Sequence, residues 1–401
     1  MKFLLRNKII ILFILLLMYF LPFAIGLPQQ SRSENIITAM GVDKTDEGYE
    51  VHIQYVLPYD TSNSSSLKVM TGKGDTVSQA VEKLDMEYGR ISGFAHCRAL
   101  IFNNKACEED ISKVLDYLVR IKTNTNDVIL INASTTSKEV LECATNLDNE
   151  LYTIINSNGI ANEQRKFQDL KSANDFYNAL FGECKCIAVS VIGTEEAEQD
   201  KPSSGGGQGG LQSGNSGSQK KIKNHGELAI LINGVKTLEL NEDESENLNW
   251  FDEQVVESRL SLKNFTDDLY KDANLDFFVL RKTKSMSVDF VNGEPCMNIR
   301  ITARIRLSQV DEKNVGQEVY EVSRKEFSDK LKNVLKDTIK EKMLAAENNF
   351  KQNRYDVINC AETFHKFKNK EYKQYLSTLE DPLEFIEHVK FTYDINVEQR
   401  R

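Results

Sequence analysis

Residues 9–25, IIILFILLLMYFLPFAI, form an apolar run without a charged side chain, and Lys2, Arg6 and Lys8 stand just before it. No other stretch of the chain is as long and as apolar. Seventeen residues is at the short end of what crosses a bilayer as a helix. The basic residues favour leaving the amino terminus in the cytoplasm, so everything from Leu27 onward is expected outside it. Two readings of the run compete. A secretory signal has an apolar core of about 7–15 residues ahead of a small-residue cleavage site, and Ala24-Ile25-Gly26 offers such a triplet. An uncleaved membrane anchor uses a longer run, and the length favours that reading. A buried core helix is disfavoured, because the run has no polar face and starts beside the amino terminus. Residues 1–26 are therefore assigned to a membrane anchor or signal segment. No cysteine follows Gly26, where Leu27 stands, so no lipidation site is expected.

The remaining chain is too long for one ordinary domain and suits two or three. With 27% charged residues it has the composition of a folded body in water once the apolar run is set aside. Its net charge is −10 without a long basic block. That argues against nucleic acid as a partner, since binding it requires a cationic surface that displaces counterions. Seven cysteines, at 97, 107, 143, 184, 186, 296 and 360, lack the paired spacings of a disulfide scaffold or a zinc site. Cys184 and Cys186 supply half a tetrahedral site at most; most of the seven read as small buried apolar residues.

Taken in order, Ile36 to Val42 reads as a strand, followed by a turn through Asp43 and Gly48. Tyr49, Val51, Ile53 and Tyr55 then alternate with Glu50, His52 and Gln54, the pattern of a half-buried returning strand. His52 falls on the polar side and is expected to be solvated. Leu67 to Thr71 is another short strand. Thr76-Val-Ser-Gln79 has capping-box spacing, ahead of Val77, Ala80, Val81, Leu84 and Tyr88 at helical spacing. Gly93-Phe-Ala-His96-Cys97-Arg98 leads into a buried strand to Phe102. An amphipathic helix carries Ile111, Val114, Leu115 and Leu118; Val128 to Ile131 is a second buried strand, and Ser137 opens another helix. Residues 151–180 read as polar and mostly helical, and 186–192 as one more strand. Strands alternating with helices predict a mixed sheet covered by helices.

Residues 193–221 then run GTEEAEQDKPSSGGGQGGLQSGNSGSQKK, with almost no apolar side chain to bury. Such composition favours a flexible coil, reading as a linker or a tolerated loop. It lacks the strand-then-helix setting of a phosphate-binding glycine loop. A strand at 227–232, a tight turn at Gly234 and a partner strand at 235–240 open the second part. An acidic helical piece follows with the only tryptophan, Trp250. Met286, Val288 and Phe290 alternate into Asn292-Gly293, a favoured two-residue hairpin turn. The return strand puts Met297, Ile299, Ile301, Ala303, Ile305 and Leu307 on one face and Asn298, Arg300, Thr302, Arg304 and Arg306 on the other. Three arginines could hold an anion, but on a solvated sheet face they more commonly pair with nearby acids. Ser323-Arg-Lys-Glu326 is a second capping box, before a long amphipathic helix carrying Phe327, Leu331, Leu335 and Ile339. A short polar helix spans 360–375. A final strand, with Val389, Phe391, Tyr393, Ile395 and Val397 alternating with polar residues, is expected to join the hairpin in one antiparallel sheet.

Catalytic patterns are missing: there is no G-x-S-x-G elbow, Walker loop, H-E-x-x-H or CxxC pair. Cys97 beside His96 is the one nucleophile with an imidazole near it, but neighbours along a strand point to opposite faces. His365 and His388 are isolated in sequence. No catalytic, cofactor-binding or metal-binding residue is assigned.

The order of these features carries a resemblance. It runs from the apolar amino terminus through SENIITAMGVDKTDEGYEVHIQYVLP and GFAHCRALIF to ELAILINGVKTLELNEDESENLNW, then a hairpin, a long helix, NRYDVI and an alternating strand. It resembles the Ger(x)C family, the C subunits of spore nutrient germinant receptors. Gly41-Val42-Asp43-Lys44 and the strand entry at His96 are the best matches near the amino end. Arg354, Asp356 and Ile358 stand where the family has a short Asp-hydrophobic segment after its long helix. The resemblance implies an α+β protein of about three domains on the outer face of the spore inner membrane. It further implies work beside integral A-type and B-type subunits in nutrient sensing, without catalysis or cofactors. Two departures are plain: Leu27 stands where the family has a lipobox cysteine, which favours the helix itself as the anchor, and the Asp356 segment is poorer in Gly and aromatic residues.

The expected architecture is α+β, with mixed and antiparallel sheets and packed helices in two to three domains after an amino-terminal membrane helix. The divisions are 31–193 for a first α+β domain, 194–224 for a Gly/Ser-rich linker, 225–280 for a small middle domain, and 281–401 for a carboxy-terminal α+β domain. The expected role is a non-catalytic, membrane-tethered, extracytoplasmic receptor subunit acting through protein–protein contacts. The alternatives are a surface enzyme acting on cell wall, suggested only by the compartment, and an unrelated surface binding module.

Overall fold

The computed structural model describes residues 36–56, 67–88, 94–120, 128–147, 149–155, 170–196, 220–252, 259–311 and 326–400. The apolar run 9–25 lies outside them. Among the described residues no helix is long and apolar enough to cross a membrane.

In chain order the elements are β1 (Ile36–Thr45), β2 (Gly48–Val56), β3 (Leu67–Gly74), α1 (Val77–Tyr88), β4 (Ala99–Asn103), α2 (Asn104–Glu109), α3 (Ser112–Arg120), β5 (Ile129–Ala133), α4 (Ser137–Asn146), α5 (Ala173–Phe181) and β6 (Cys186–Glu196). They continue with β7 (Lys220–Ile232), β8 (Val235–Leu240), α6 (Glu242–Leu248), β9 (Arg259–Phe265), β10 (Ala273–Val291), β11 (Glu294–Asp311), α7 (Asp329–Gln352), α8 (Cys360–Phe367), α9 (Asn369–Leu376), α10 (Phe385–His388) and β12 (Lys390–Gln399). Single 3-10 turns stand at Phe94–His96, Asn249–Phe251 and Pro382–Glu384. The described residues thus form a mixed α/β protein with two sheets.

The first sheet has the strand order β3-β2-β1-β4-β5-β6-β7-β8. Its middle strands β1, β4, β5 and β6 are mutually parallel, and the outer pairs are antiparallel. Parallel strands need crossover helices, which cover both faces and leave the strands buried on both sides. Helices α1, α3 and α5 pack on one face with Met40, Val42, Ile53 and Phe102. Helix α4 packs on the other, over Ala39, Ala99, Ile101, Ile131 and Ala133.

This second cover corrects the expectation for His52. Its side chain lies under α4's side of the sheet and is 0% exposed. Nδ1 is 2.8 Å from Thr71 Oγ1. Nε2 stands 3.2 Å from Asp43 Oδ2, without the alignment of a hydrogen bond. Gln54, two residues on, is equally buried and accepts from Thr38 Oγ1 at 3.0 Å and from the Leu151 N–H at 3.1 Å. The alternation 49–55 is therefore one apolar face and one face of buried polar groups, not a wet face.

The Gly/Ser-rich stretch joins neighbours in this sheet. Strand β6 extends to Glu196, β7 resumes at Lys220, and the two pair antiparallel from Cys186↔Ile232 to Glu196↔Lys220. Charge complementarity extends the ladder beyond the apolar register, with Lys223 bonded to Glu195. Residues 194–196 and 220–224 are therefore strand, and 197–219 lie outside the described residues. Strands β7 and β8 belong to the first sheet, whereas β9 and β10 belong to the second, so the segment 225–280 is shared between two sheets.

The second sheet has the order β12-β11-β10-β9. The β10–β11 hairpin turns at Asn292 and Gly293, with φ of 56° and 84° and Val291 opposite Glu294. These left-handed values fit the preferred hairpin turn, and Gly meets no steric cost there. Met297, Ile299, Ile301, Ala303 and Ile305 are all buried on the inner face. On the outer face Arg300 pairs with Asp394 at 2.6 Å and Arg304 with Glu398 at 3.2 Å, the acid pairing expected of a solvated face. The last strand does join β11, but in parallel, from Cys296↔Lys390 to Ile305↔Gln399. The direction follows from the connection: α7 carries the chain back along the sheet, so β12 must run with β11. Helix α7 buries Leu331, Leu335, Ile339, Met343, Ala346 and Phe350. Its cap is Ser328, whose Oγ accepts from the Leu331 N–H at 3.0 Å. In the expected box, residues 323–325 lie outside the described residues.

One apolar core continues from the first sheet into the second sheet and its helices. It contains Cys184, Cys186, Leu228, Ile230 and Leu240 together with Trp250, Phe251, Ile299, Phe350 and Phe364.

Candidate functional site

A cleft of about 700 Å³ opens between the first sheet and the elements of the second. Its first side is β6 and β7, through Cys186, Ala188 and Leu228, with Asp175 and Asn178 of α5. The opposite side is the 248–252 turn, Lys284 of β10 and the 357–359 turn. Each wall is fixed by a specific local device.

The 357–359 turn is held by Asp356. Its carboxylate accepts the Cys360 N–H at 2.9 Å and the Ala361 N–H at 2.7 Å, closing the start of α8. Helix starts leave such N–H groups without intrahelical partners. Arg354 and Asn359 take left-handed φ of 55° and 60°, which folds the segment tightly enough for the carboxylate to reach forward. Burial pushes the Asp356 carboxyl up, and the backbone donors oppose that shift. Arg354 pairs with Glu384 at 3.3 Å and also with Glu387, and Ile358 enters the core. The Asp-hydrophobic segment thus acts as a helix cap.

The 249–251 turn is held by two lysines of β10. Lys284 Nζ donates to the Phe251 carbonyl at 2.6 Å. Lys282 Nζ donates to the Asn249 carbonyl and lies 5.4 Å from the centre of the Trp250 ring. Lys282 is 4% exposed, and burial pulls its ammonium down to about 7. These lysines were not singled out from sequence. The signal was present: the alternation of Met286, Val288 and Phe290, extended backwards, puts Lys284 and Lys282 on the inner face.

Ions and hydrogen bonds join the two sides of the cleft. Lys171 lies 3.8 Å from Asp252. Glu183 meets His365 at 3.2 Å and accepts from Tyr372 Oη at 3.4 Å, while its N–H donates to Glu362 at 3.1 Å. His365, isolated in sequence, is therefore a contact across the cleft. His388 lies against the ring of Tyr375 at 6.0 Å.

The cysteines do not build a reactive centre. Burial pushes the Cys97 thiol up to about 12, and Cys97 is buried while His96 is exposed at the end of a 3-10 turn. Burial, with the nearby Asp356 carboxylate, pushes Cys184, Cys186 and Cys360 well above the usual thiol range. A thiol held protonated is neither a nucleophile nor a metal ligand. Among the described residues no group of three or more potential metal ligands comes together.

Near the amino end, Gly41-Val42-Asp43-Lys44 is also structural. A Cβ on Gly41 would lie 2.5 Å from Ser137 Oγ, so only glycine lets α4 seat on β1 at this depth. Asp43 Oδ1 then accepts the Ser137 N–H at 2.8 Å.

Comparison with known proteins agrees with this arrangement. Residues 31–194 match a family model described as the spore germination protein N-terminal domain. Residues 227–401 match one described as spore germination B3/GerAC like, C-terminal. The chain is 27% identical over 125 residues to spore germination protein KC of Bacillus subtilis (strain 168), a match taking in 28% of this chain and 31% of that protein. It is also similar in fold to the crystal structure of the GerBC protein, with a TM-score of 0.52 at 13% identity, covering 90% of this chain and 97% of that one.

Proposed function

Because the chain belongs to the Ger(x)C family of spore germination proteins, we propose that it serves as the C-type subunit of a spore nutrient germinant receptor. On this reading it acts in spore germination through protein–protein contacts, docking onto integral A-type and B-type subunits, and carries out no catalysis. The single observation that carries the reading is the pair of family matches in order, which together take in most of the chain. The protonated thiols are consistent with it.

The apolar run 9–25 then serves as the tether, with Leu27 where a lipobox cysteine would stand, and holds the body on the outer face of the spore inner membrane. The two family matches flank the Gly/Ser-rich stretch, which favours a division into a first unit before it and a second after it. The units share strands β6–β8 as their common wall.

Deletion of the gene in a spore former tests the reading. Loss of the response to at least one nutrient, restored by the intact gene, is the expected result. Normal germination with every nutrient in a strain lacking any paralogue would overturn it.

A further inference from the structure

The exposed large apolar side chains are not scattered evenly. Among the described residues eight are strongly exposed; Leu147, Val291, Leu344 and Phe367 lie singly elsewhere, whereas Met86 at 74%, Tyr88 at 48%, Val119 at 46% and Phe181 at 78% end α1, α3 and α5. They share one edge of the first sheet. Tyr55 pairs with Ile37 at the start of β1, and Tyr88 is near enough to add to the rise that burial gives the Tyr55 phenol. The Arg98 N–H donates to the Thr38 carbonyl at 2.9 Å, so the segment after α1 returns to that same edge. There Phe94 meets Tyr117 of α3 edge-on, with centroids 6.1 Å apart. Asp116 of α3 is near enough to Tyr177 of α5 to add to the rise that burial gives its phenol, and Tyr177 stacks on Phe181 at 6.1 Å with planes 9° apart. The row of rings therefore begins where the described chain begins.

We propose that this edge of the first sheet rests in the interface of a lipid bilayer, with Met86, Tyr88, Val119, Tyr177 and Phe181 in contact with lipid. The proposal rests on the membrane tether put forward above and adds an orientation to it. Isolated exposed apolar residues are normal on a monomer, but a row of them marks a contact surface. Tyrosine and other ring side chains with an apolar body and a polar tip favour the headgroup level of bilayers.

The chain also enters at this edge. Only residues 26–35 separate the apolar run from Ile36, a reach of at most about 35 Å when fully extended. The opposite edge, where β1 and β4 end, carries Lys44 with Glu109 at 3.4 Å and Lys105 with Asp46, and none of the four exposed apolar side chains. Asp85 and Glu87 accompany the rings, and Asp116 is paired with Arg120 at 2.6 Å; with no excess of basic side chains among these, the contact is with zwitterionic headgroups and needs no anionic lipid.

The test uses the full chain reconstituted in phosphatidylcholine vesicles. Tryptophan is placed at the edge in Phe181→Trp or Tyr88→Trp, and at the opposite edge in Lys73→Trp. Native Trp250 is 2% exposed and supplies a constant background. Brominated phosphatidylcholine is expected to remove most of the added emission at 181 and 88 and none at 73, at low and high salt alike. A chain that does not float with the vesicles overturns tether and docking together. A chain that floats, with positions 181 and 88 unquenched or 73 equally quenched, overturns the docking alone. Quenching that requires anionic lipid, or protection at 181 that appears only with a membrane protein present, also overturns it.

Discussion

Asp43 and Ser137 are joined by a 2.8 Å hydrogen bond in which the Ser137 N–H donates to Asp43 Oδ1, across 94 residues of chain. The bond seats the start of α4 on β1, and the same carboxylate lies 3.2 Å from the buried His52 ring. Asp43→Ala removes the acceptor of the Ser137 N–H at the start of α4, beside the Thr136 cap that accepts the Glu139 N–H, and leaves that buried N–H without a partner. Capping residues contribute about 0.5–2 kcal/mol, and an orphaned buried polar group costs about 1–3 kcal/mol. We expect Asp43→Ala to lower stability by about 2–3 kcal/mol and Asp43→Asn, which keeps an acceptor, by less. Denaturant unfolding of the two variants checks the order.

The glycine two residues earlier gives a second comparison. At Gly41 an added Cβ would meet Ser137 Oγ at 2.5 Å and Leu141 at 3.0 Å, whereas at Gly293 nothing lies within 4 Å but φ is +84°. Crowding a packed interface costs about 1–3 kcal/mol, and a left-handed backbone costs a non-glycine residue about 1–2 kcal/mol. Gly41→Ala is expected to be at least as destabilising as Gly293→Ala and, unlike it, to loosen α4. Amide exchange in residues 137–146 distinguishes them: faster in Gly41→Ala, unchanged in Gly293→Ala.

Thiol reactivity should follow burial. Six of the seven cysteines are buried, and Cys296 is partly exposed. Only the thiolate attacks a disulfide reagent. One thiol is therefore expected to react promptly in the native protein, and the rest only on unfolding. Mass mapping of the first adduct to a residue other than Cys296 would contradict the burial pattern.

Much of the fold was legible because period and burial agree where one side of an element is wet. The Asn292-Gly293 hairpin and the inward row Met297 to Ile305 were readable from alternation alone, and the arginine–acid pairing of the outer face from charge. His52 and Gln54 were not, because alternation cannot tell solvent from a polar layer beneath a helix that arrives 85 residues later. The direction of β12 was hidden for a similar reason: register follows from side-chain pattern, whereas orientation depends on what α7 does between the strands. The Gly/Ser-rich stretch carries a composition signal but no information on whether its flanks pair. At the cleft, Asp356 was visible as a motif, while its capping role needed the left-handed Arg354 and Asn359.

The most specific pH effect belongs to Lys282. Burial holds its ammonium near pKa 7 in the folded chain, down from 10.5. Between those values the unfolded chain binds the proton that the folded chain has released, so stability rises with pH across that window. The slope for one group cannot exceed about 1.4 kcal/mol per pH unit. The buried thiols and phenols, with raised values, act in the opposite sense at higher pH, so the clean range is about pH 7 to 8.5, below the ordinary thiol value. Unfolding free energy is expected to increase over that range in the native protein and to lose this increase in Lys282→Met, which fills the same space without a charge. Lys284→Met, whose ammonium reaches the Phe251 carbonyl from a half-buried position, should keep it. A flat profile in the native protein, or the same slope in Lys282→Met, would show that the lysine under Trp250 does not release its proton in the folded state.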